Sequence, residues 1–182
     1  MNETTIPTNG IYLIYADGHH EFFTGENYPE DTKYVGLIHD GHAFAIALKD
    51  MGEYQLLRDN AKGRSPYCCQ RECDALNDWE YIERTKDIQK RGTDIPLQEG
   101  EYLPSLPMLV AMCYWAERGL NKALEYAGGN PLDMDSYYWS VTEYNSTLAW
   151  LVYFGSGYVG TYNIGKYYGT VARAVTAFPL HA

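Results

Sequence analysis

Two stretches near the N-terminus each consist of apolar-rich, β-type segments on either side of an Asp-Gly pair. The segments are Ile11 to Tyr15 and Glu21 to Thr24 around Asp17-Gly18, then Tyr34 to His39 and His42 to Leu48 around Asp40-Gly41. Glycine accepts the positive φ that a tight turn needs, so each Asp-Gly indicates a β-hairpin. We predict an antiparallel meander of about four strands in residues 1–50, packed with the rest of the chain.

The spacing becomes helical after a polar stretch, residues 50–71, which we expect to form a loop. Leu76, Trp79 and Ile82 recur at helical intervals, and an ion pair between Glu80 and Arg84 would support this helix. Asp74 or Asp78 is the predicted N-cap, and the helix is predicted to end near Gly92. Trp79 is expected to be a core residue.

Two further helices are predicted before Gly128. Ser105 is the expected N-cap of the first, Pro107 suits its first turn, and Gly119 interrupts it. The second should end at Gly128-Gly129, since glycine adopts the left-handed conformation that closes a helix. The predicted buried positions are Leu106, Leu109, Val110 and Cys113 in the first helix, and Leu120, Ala123, Leu124 and Ala127 in the second.

Segments rich in aromatic and β-branched residues, which are typical of strands, follow in residues 137–178. Strands are predicted at Trp139 to Tyr144, Leu148 to Phe154, Tyr158 to Ile164 and Val171 to Phe178, with a hairpin turn at Gly155-Ser156-Gly157. By the two-residue period, Trp150, Val152 and Phe154 should face the core. Leu151 and Tyr153 should then point outward. The order strands, helices, strands predicts a single α+β domain.

This last segment has the composition of a contact surface. Eight tyrosines lie between Tyr137 and Tyr168, whereas charge is limited to Glu143, Lys166 and Arg173. Tyrosine combines a flat apolar ring, a hydroxyl and only two side-chain torsions, which suits binding. An aromatic-rich sheet that binds nothing is the alternative.

Charge and hydropathy exclude several partners. The formal net charge is −10, and 23 of the 24 acidic residues precede Tyr137. Because no basic stripe is present, we expect no nucleic-acid partner. The longest apolar run, Pro107 to Ala116, is too short to span a bilayer, so no membrane insertion is expected. The first ten residues also lack the features of a secretory signal.

Candidate chemistry is sparse. Cys68, Cys69 and Cys73 are crowded but lack a paired zinc-ligand spacing, so free thiols or one disulfide are favoured over zinc. The four histidines beside the Asp-Gly turns, His19, His20, His39 and His42, are expected to be exposed turn residues. Since no nucleophile–base motif, metal box or phosphate loop is present, we predict no catalytic residue, metal or cofactor.

Three motifs together carry a family resemblance. They are LPSL from Leu103, LNKALEYAGGNPL from Leu120, and YYWSVTEYNS..AW.V.F..G from Tyr137. They resemble the C-type-lectin-fold variable proteins that retroelements diversify in bacteria and phages. The resemblance implies a C-type lectin-like domain in residues 51–182, related to the formylglycine-generating enzyme, with a variable ligand-binding segment at 137–178.

The resemblance implies that a protein or cell-surface receptor is bound, on a phage virion or a bacterial cell surface. It does not fix the ligand or the oligomeric state. Trp139, Trp150, Val152, Phe154 and Arg173 match the invariant framework. From Asn145 to Ala172, only Trp150 and Lys166 cannot be reached by randomising adenines of AAC codons. The predicted ligand-binding residues are Val141, Tyr144, Thr147, Leu148, Leu151, Tyr153, Ser156, Tyr158, Thr161, Tyr162, Asn163, Tyr167 and Tyr168.

Two other functions are weighed against this one. The first is calcium-dependent carbohydrate binding, for which Asn130-Pro131, Asp133 and Asp135 provide a thin ligand set. The second is an enzyme like the formylglycine-generating enzyme. That chemistry needs reactive cysteines in the C-terminal half, and no cysteine follows Cys113.

Overall fold

The structure, a computed structural model, describes residues 8–58, 67–161 and 165–179. Ten strands and four helices lie in these ranges. The strands are β1 (Gly10–Tyr15), β2 (His20–Phe22), β3 (Thr32–His39), β4 (His42–Ala47), β5 (Gly52–Tyr54), β6 (Tyr137–Glu143), β7 (Ala149–Tyr153), β8 (Tyr158–Gly160), β9 (Thr170–Ala172) and β10 (Val175–Ala177). The helices are α1 (Glu72–Ala75), α2 (Tyr81–Arg91), α3 (Leu106–Trp115) and α4 (Asn121–Tyr126). The protein is therefore α+β, as predicted.

The first sheet contains both N-terminal hairpins, in the order β10-β4-β3-β1-β2. The two Asp-Gly turns are confirmed, with φ of 90° at Gly18 and 80° at Gly41. The predicted meander is wrong, because β1 pairs with both β2 and β3. This order places Leu13 opposite Val35, and both side chains are fully buried.

The helix predicted from Asp74 to Gly92 is divided into α1 and α2. Asp78 is buried in the connection, and Arg84 Nε lies 2.7 Å from its Oδ2, so the predicted partner Glu80 was wrong. The N-caps are Arg71 and Glu80, not Asp74 or Asp78. The end at Gly92 is confirmed by its φ of 100°.

A larger part of the surface of helix α3 is buried than the single predicted stripe of apolar residues. Its N-cap position is Ser105 and Pro107 lies in its first turn, as predicted. Met108, Ala111 and Met112 are buried in addition to Leu106 and Leu109, whereas Val110 and Cys113 are only half-buried. The extra burial arises because α3 packs in the core that the two sheets share. A wide turn at Ala116–Leu120 joins α3 to α4, and Gly128 ends α4 with a φ of 76°.

The second sheet has the order β5-β9-β6-β7-β8, and both faces of its central strands are covered. Trp150, Val152 and Phe154 belong to the core shared with the first sheet, as predicted. The opposite face forms a second core, in which Leu56 and Ile88 pack with Trp139, Val141 and Leu151. The outward orientation predicted for Leu151 is wrong, because the chain after β5 and helix α2 cover that face.

The strand predicted from Val171 to Phe178 is split between the sheets. β9 pairs with β5 and β6, whereas β10 pairs with β4. The chain crosses from one sheet to the other at Arg173-Ala174. The N-terminal strands β1 to β4 and strand β10 thus share one sheet. No helix in the described ranges is both long enough and apolar enough to span a membrane.

Arg173 is fully buried at this crossing and is paired with Asp50. Its Nε lies 2.9 Å from Oδ1 of Asp50, and its Nη2 donates to the carbonyl oxygen of Asn130 at 2.8 Å. The Tyr138 hydroxyl donates to the second carboxylate oxygen of Asp50 at 3.0 Å. Burial raises the pKa of Asp50 despite the nearby guanidinium. Burial also lowers the pKa of Arg173.

Replacing Arg173 by leucine should destabilise the fold, because Asp50 is left as a buried charge without its cation. We expect the free energy of unfolding, measured by urea denaturation, to fall by about 3–5 kcal/mol. Arg71→Leu is the control, since this exposed arginine pairs with Asp74 in water and its loss should change stability far less. Equal stability of the two variants would contradict a structural role for the buried pair.

Candidate functional site

Three tyrosines lie side by side across the second sheet. Tyr153 in β7 is directly opposite Tyr137 in β6 and Tyr158 in β8, so all three project from the same face. The ring centroids of Tyr137 and Tyr153 are 4.8 Å apart. Tyr137 and Tyr153 are half-buried, whereas Tyr158 is 48% exposed. We call Tyr137, Tyr153 and Tyr158 the tyrosine rank.

A shallow groove of about 220 Å³ adjoins one end of the rank. Tyr137 lines it together with Asp135, Ser136 and the backbone region of Gly169. The residues before Gly169 are Tyr167 and Tyr168, which are 46% and 52% exposed with ring centroids 4.8 Å apart. The groove therefore lies between the rank and the segment that carries a second, exposed tyrosine pair.

The turn from β7 to β8 extends this surface. It occupies residues 154–157, with Gly157 at a φ of 67°, so the predicted hairpin is confirmed. Ser156 is exposed at its tip. This end of the sheet thus presents hydroxyl groups, rings and small residues but no charged side chain from residues 153–158.

Other predicted site residues lie at the opposite end of β7. Tyr144 and Leu148 are half-buried and Thr147 is exposed, in the turn between β6 and β7. The Tyr144 ring meets Trp150 edge-on at 5.6 Å. Because β7 spans Ala149–Tyr153, at about 3.3 Å per residue the two groups are separated by the whole length of the strand.

The structure therefore divides the predicted site. Tyr153, Ser156 and Tyr158 lie together at the β7–β8 hairpin, on the side of the rank away from the groove, and Thr161 is half-buried after β8. Val141 and Leu151 are 1% and 0% exposed, so the ligand-contacting surface predicted for them is wrong. Their side chains fill the second core. Tyr162 and Asn163 lie outside the described residues.

The three charged residues of the tyrosine-rich segment are all buried. Glu143 accepts from Arg91, whose Nη1 and Nη2 lie 3.0 and 2.5 Å from its two oxygens, and it also pairs closely with Lys166. Lys166 Nζ donates to the carbonyl oxygen of Asn145 at 2.6 Å. Burial lowers the pKa of Lys166, although the neighbouring Glu143 opposes that shift.

Two framework residues were missed by the sequence reasoning. Arg91, at the end of α2, completes the ion cluster and gives no local signal of this role. Asn145 holds the β6–β7 turn, because its Oδ1 accepts from the backbone N–H of Thr147 and of Leu148, each at 2.8 Å. A signal for the cluster does exist: charges retained in a charge-poor segment indicate buried partners.

Tyr138 follows Tyr137 in β6, so its side chain points to the opposite face of the sheet and stabilises the fold. It is fully buried, and its hydroxyl accepts from the backbone N–H of Asp133 at 2.8 Å while donating to Asp50. Burial and the charge of Asp50 raise its pKa well above the usual range for tyrosine. The five residues assigned to the framework, Trp139, Trp150, Val152, Phe154 and Arg173, are likewise buried.

One carboxylate considered for calcium, that of Asp133, is engaged within its own turn. The Asp133 carboxylate accepts from Ser136 Oγ and from the backbone N–H of Asp135, and these bonds lower its pKa. All four cysteines lie in the described residues and none forms a disulfide. Among residues 8–58, 67–161 and 165–179, no cluster of three or more metal-ligating side chains occurs.

Comparison with known proteins relates this chain to one solved fold. No protein-family model matches the sequence, and no curated protein matches it. A fimbrial protein from Bacteroides ovatus ATCC 8483 has a similar structure, with a TM-score of 0.60 at 17% identity. The match covers 94% of this chain and 49% of the fimbrial protein, so the chain spans about half its length. At this identity the likeness shows the fold alone.

The ion cluster beneath the site can be tested by comparing its members. Glu143→Gln removes the only anion between Arg91 and Lys166 in the cluster described, so we expect unfolding free energy to fall by about 3–5 kcal/mol. Lys166→Met leaves Glu143 paired with Arg91 and should cost less, about 1–3 kcal/mol.

Chemical denaturation of both variants measures this ranking. Glu83→Gln is the matched control, because Glu83 pairs with Lys86 on the exposed side of α2 and its replacement should leave stability almost unchanged. A Lys166→Met variant that is less stable than Glu143→Gln would show that Glu143 is not the centre of the cluster.

Proposed function

We propose that this protein is a non-enzymatic binding module of a bacterial or phage surface. It recognises a protein or cell-surface receptor through the tyrosine-bearing end of its second sheet. The observation that carries the proposal is the exposure of Tyr158, Tyr167 and Tyr168 in a segment whose three charged residues are buried and paired.

The physical properties of this surface favour recognition of a macromolecule. Each exposed tyrosine offers a large contact area and loses little torsional freedom on binding. The groove, about 220 Å³, is smaller than typical small-molecule sites of about 300–1,000 Å³. Binding is therefore expected to involve the rings and the hairpin tip together, as in a protein–protein contact with aromatic anchors.

Support for a surface location comes from the structural likeness. A protein of this fold, from Bacteroides ovatus, is described as fimbrial. A fimbrial role for a fold relative is compatible with adhesion or receptor contact by this chain. We accordingly propose a bacterial cell surface, or a phage virion surface, as its place of action.

We also propose, on the strength of the sequence resemblance, that the chain is a retroelement-diversified variable protein with a C-type lectin-like fold. The burial of Val141 and Leu151 restricts the proposed contact residues to those that reach solvent. Variation at exposed positions such as Ser156 and Tyr158 would leave both cores intact, whereas variation at buried positions would create cavities or overpacking.

Receptor binding should depend on the exposed tyrosines. We expect Tyr158→Ala and Tyr168→Ala each to reduce binding of the fluorescently labelled protein to intact bacterial or epithelial cells by about tenfold, the equivalent of 1.4 kcal/mol. Flow cytometry over a concentration series measures this change. Melting temperatures should stay within a few degrees of wild type, because neither ring fills a core.

Tyr28→Ala is the control, since Tyr28 is 78% exposed in the β2–β3 connection and lies outside the proposed surface. An equal loss of cell binding in all three variants would indicate nonspecific adhesion through exposed tyrosines. Binding unchanged in Tyr158→Ala and Tyr168→Ala would refute the proposed surface.

The proposed diversification has a genomic test. We expect a reverse-transcriptase gene near the coding sequence and a near-copy of the segment for residues 137–178, with differences at template adenines. Codons for the buried Trp150 and Lys166 should be identical in the two copies. Sequencing the neighbouring DNA decides this. A locus without either element would refute the retroelement proposal, whereas the binding surface is tested separately by the tyrosine variants.

A further inference from the structure

A cleft of about 320 Å³ lies away from the tyrosine rank, where the β3–β4 turn, the α1–α2 connection and helix α3 meet. Its polar and aromatic lining comes from His39, Asp40, His42, Asn77 and Trp79. We call it the histidine–tryptophan cleft. None of the thirteen predicted binding residues lines it, so it is a different site from the one proposed above.

Two rings of the cleft form a parallel stack. The imidazole of His42 lies on the indole of Trp79, with centroids 3.6 Å apart and planes 3° from parallel. His42 is exposed, whereas Trp79 is half-buried and packs against the core. Trp79 thus holds the stack against the core, and His42 is its solvent-exposed ring. Such a surface is flat, aromatic and formed before any ligand arrives.

A second aromatic contact fixes the hydrogen-bonding role of His39. The indole Nε1 of Trp115 lies 3.3 Å from His39 Nδ1, and an indole N–H can only donate. His39 Nδ1 is therefore the acceptor, and the neutral ring carries its proton on Nε2. The Tyr114 ring, 5.6 Å from that of His39, supports the imidazole from another side.

His39 Nε2 and the Asp40 carboxylate lie close enough together for one ligand hydroxyl to contact both from the side. Nε2 is 3.8 Å from Oδ2 of Asp40, whose side chain is 77% exposed. This separation exceeds a good hydrogen bond. A hydroxyl group can accept from the imidazole and donate to the carboxylate at once, because it has both capacities.

We propose that the histidine–tryptophan cleft binds a neutral pyranose sugar. The C–H face of a pyranose packs on an aromatic stack, and its hydroxyl groups match the donor on His39 and the acceptors on Asp40 and Asn77. The negative protein charge and the Asp40 carboxylate disfavour anionic ligands. The volume is at the lower end of small-ligand sites, roughly 300–1,000 Å³, which suits a mono- or disaccharide.

This proposal stands independently of receptor recognition by the tyrosine rank. It also differs from calcium-dependent sugar binding, because the cleft does not include Asn130, Asp133 or Asp135. In the histidine–tryptophan cleft the aromatic stack and the His39–Asp40 pair, and not a metal ion, would orient the sugar.

The experiment is an NMR titration of the intact ¹⁵N-labelled chain with the methyl glycosides of galactose, glucose, mannose and N-acetylglucosamine, each up to about 50 mM. We expect saturable shifts of the Trp79 indole N–H and the Asn77 amides with at least one sugar, with a millimolar dissociation constant. His42→Ala and Asp40→Asn should each weaken that affinity by about tenfold, since each removes one element of the site.

The chain contains a matched control for both changes. Asp17-Gly18-His19 forms the other hairpin turn with the same three residues as Asp40-Gly41-His42, and its His19 is also exposed. Asp17→Asn and His19→Ala should leave the titration unchanged. All four replaced side chains are exposed or at turns, so a dispersed amide spectrum verifies that each variant is folded.

Three results would overturn the proposal. The first is the absence of saturable shifts with every sugar. The second is an affinity that His42→Ala and Asp40→Asn leave unaltered. The third is a set of shifts centred on Tyr158 and Tyr168, which would assign sugar binding to the tyrosine rank and leave the cleft without a ligand.

Discussion

The ion pair between Asp50 and Arg173 joins the two places where the chain passes between its sheets. Asp50 lies between β4 of the first sheet and β5 of the second, and Arg173 lies between β9 of the second and β10 of the first. Each buried charge would cost several kcal/mol without its partner. Asn130 and Tyr138 bring the loop after α4 and strand β6 to the same point. The relative placement of the sheets, and hence of the tyrosine rank, depends on this cluster.

Features with a local cause were predictable from the sequence. The turns at Gly18 and Gly41, the helix ends at Gly92 and Gly128, and the start of α3 at Ser105 follow from backbone preferences within a few residues. Strand order is not local. Whether β3 pairs with β2 or β1 depends on which edge buries more apolar surface after collapse, and the hairpin signals carry no information about that choice.

The candidate site, like the fold, was predictable from the sequence only in part. Tyrosine density correctly drew attention to Tyr158, Tyr167 and Tyr168, which reach solvent. Alternation failed at Leu151, because a continuous apolar run such as residues 149–154 is the pattern of a strand covered on both faces. The cover comes from Leu56 and Ile88, far away in sequence. Burial of Glu143 and Lys166 also required distant information, since their shared partner Arg91 lies in α2.

The split between β9 and β10 has a consequence for how the protein is made. The first sheet begins with β1 near the N-terminus, yet its outer edge beside β4 is closed only by β10. During synthesis, four strands leave the ribosome long before the strand that completes their sheet. Pairing between strands that are far apart in the sequence slows folding, so the sheet is completed in a late step. The edge of β4 that β10 covers therefore stays unpaired until the segment with β10 has been synthesised, and an unpaired strand edge is a site where another chain can associate.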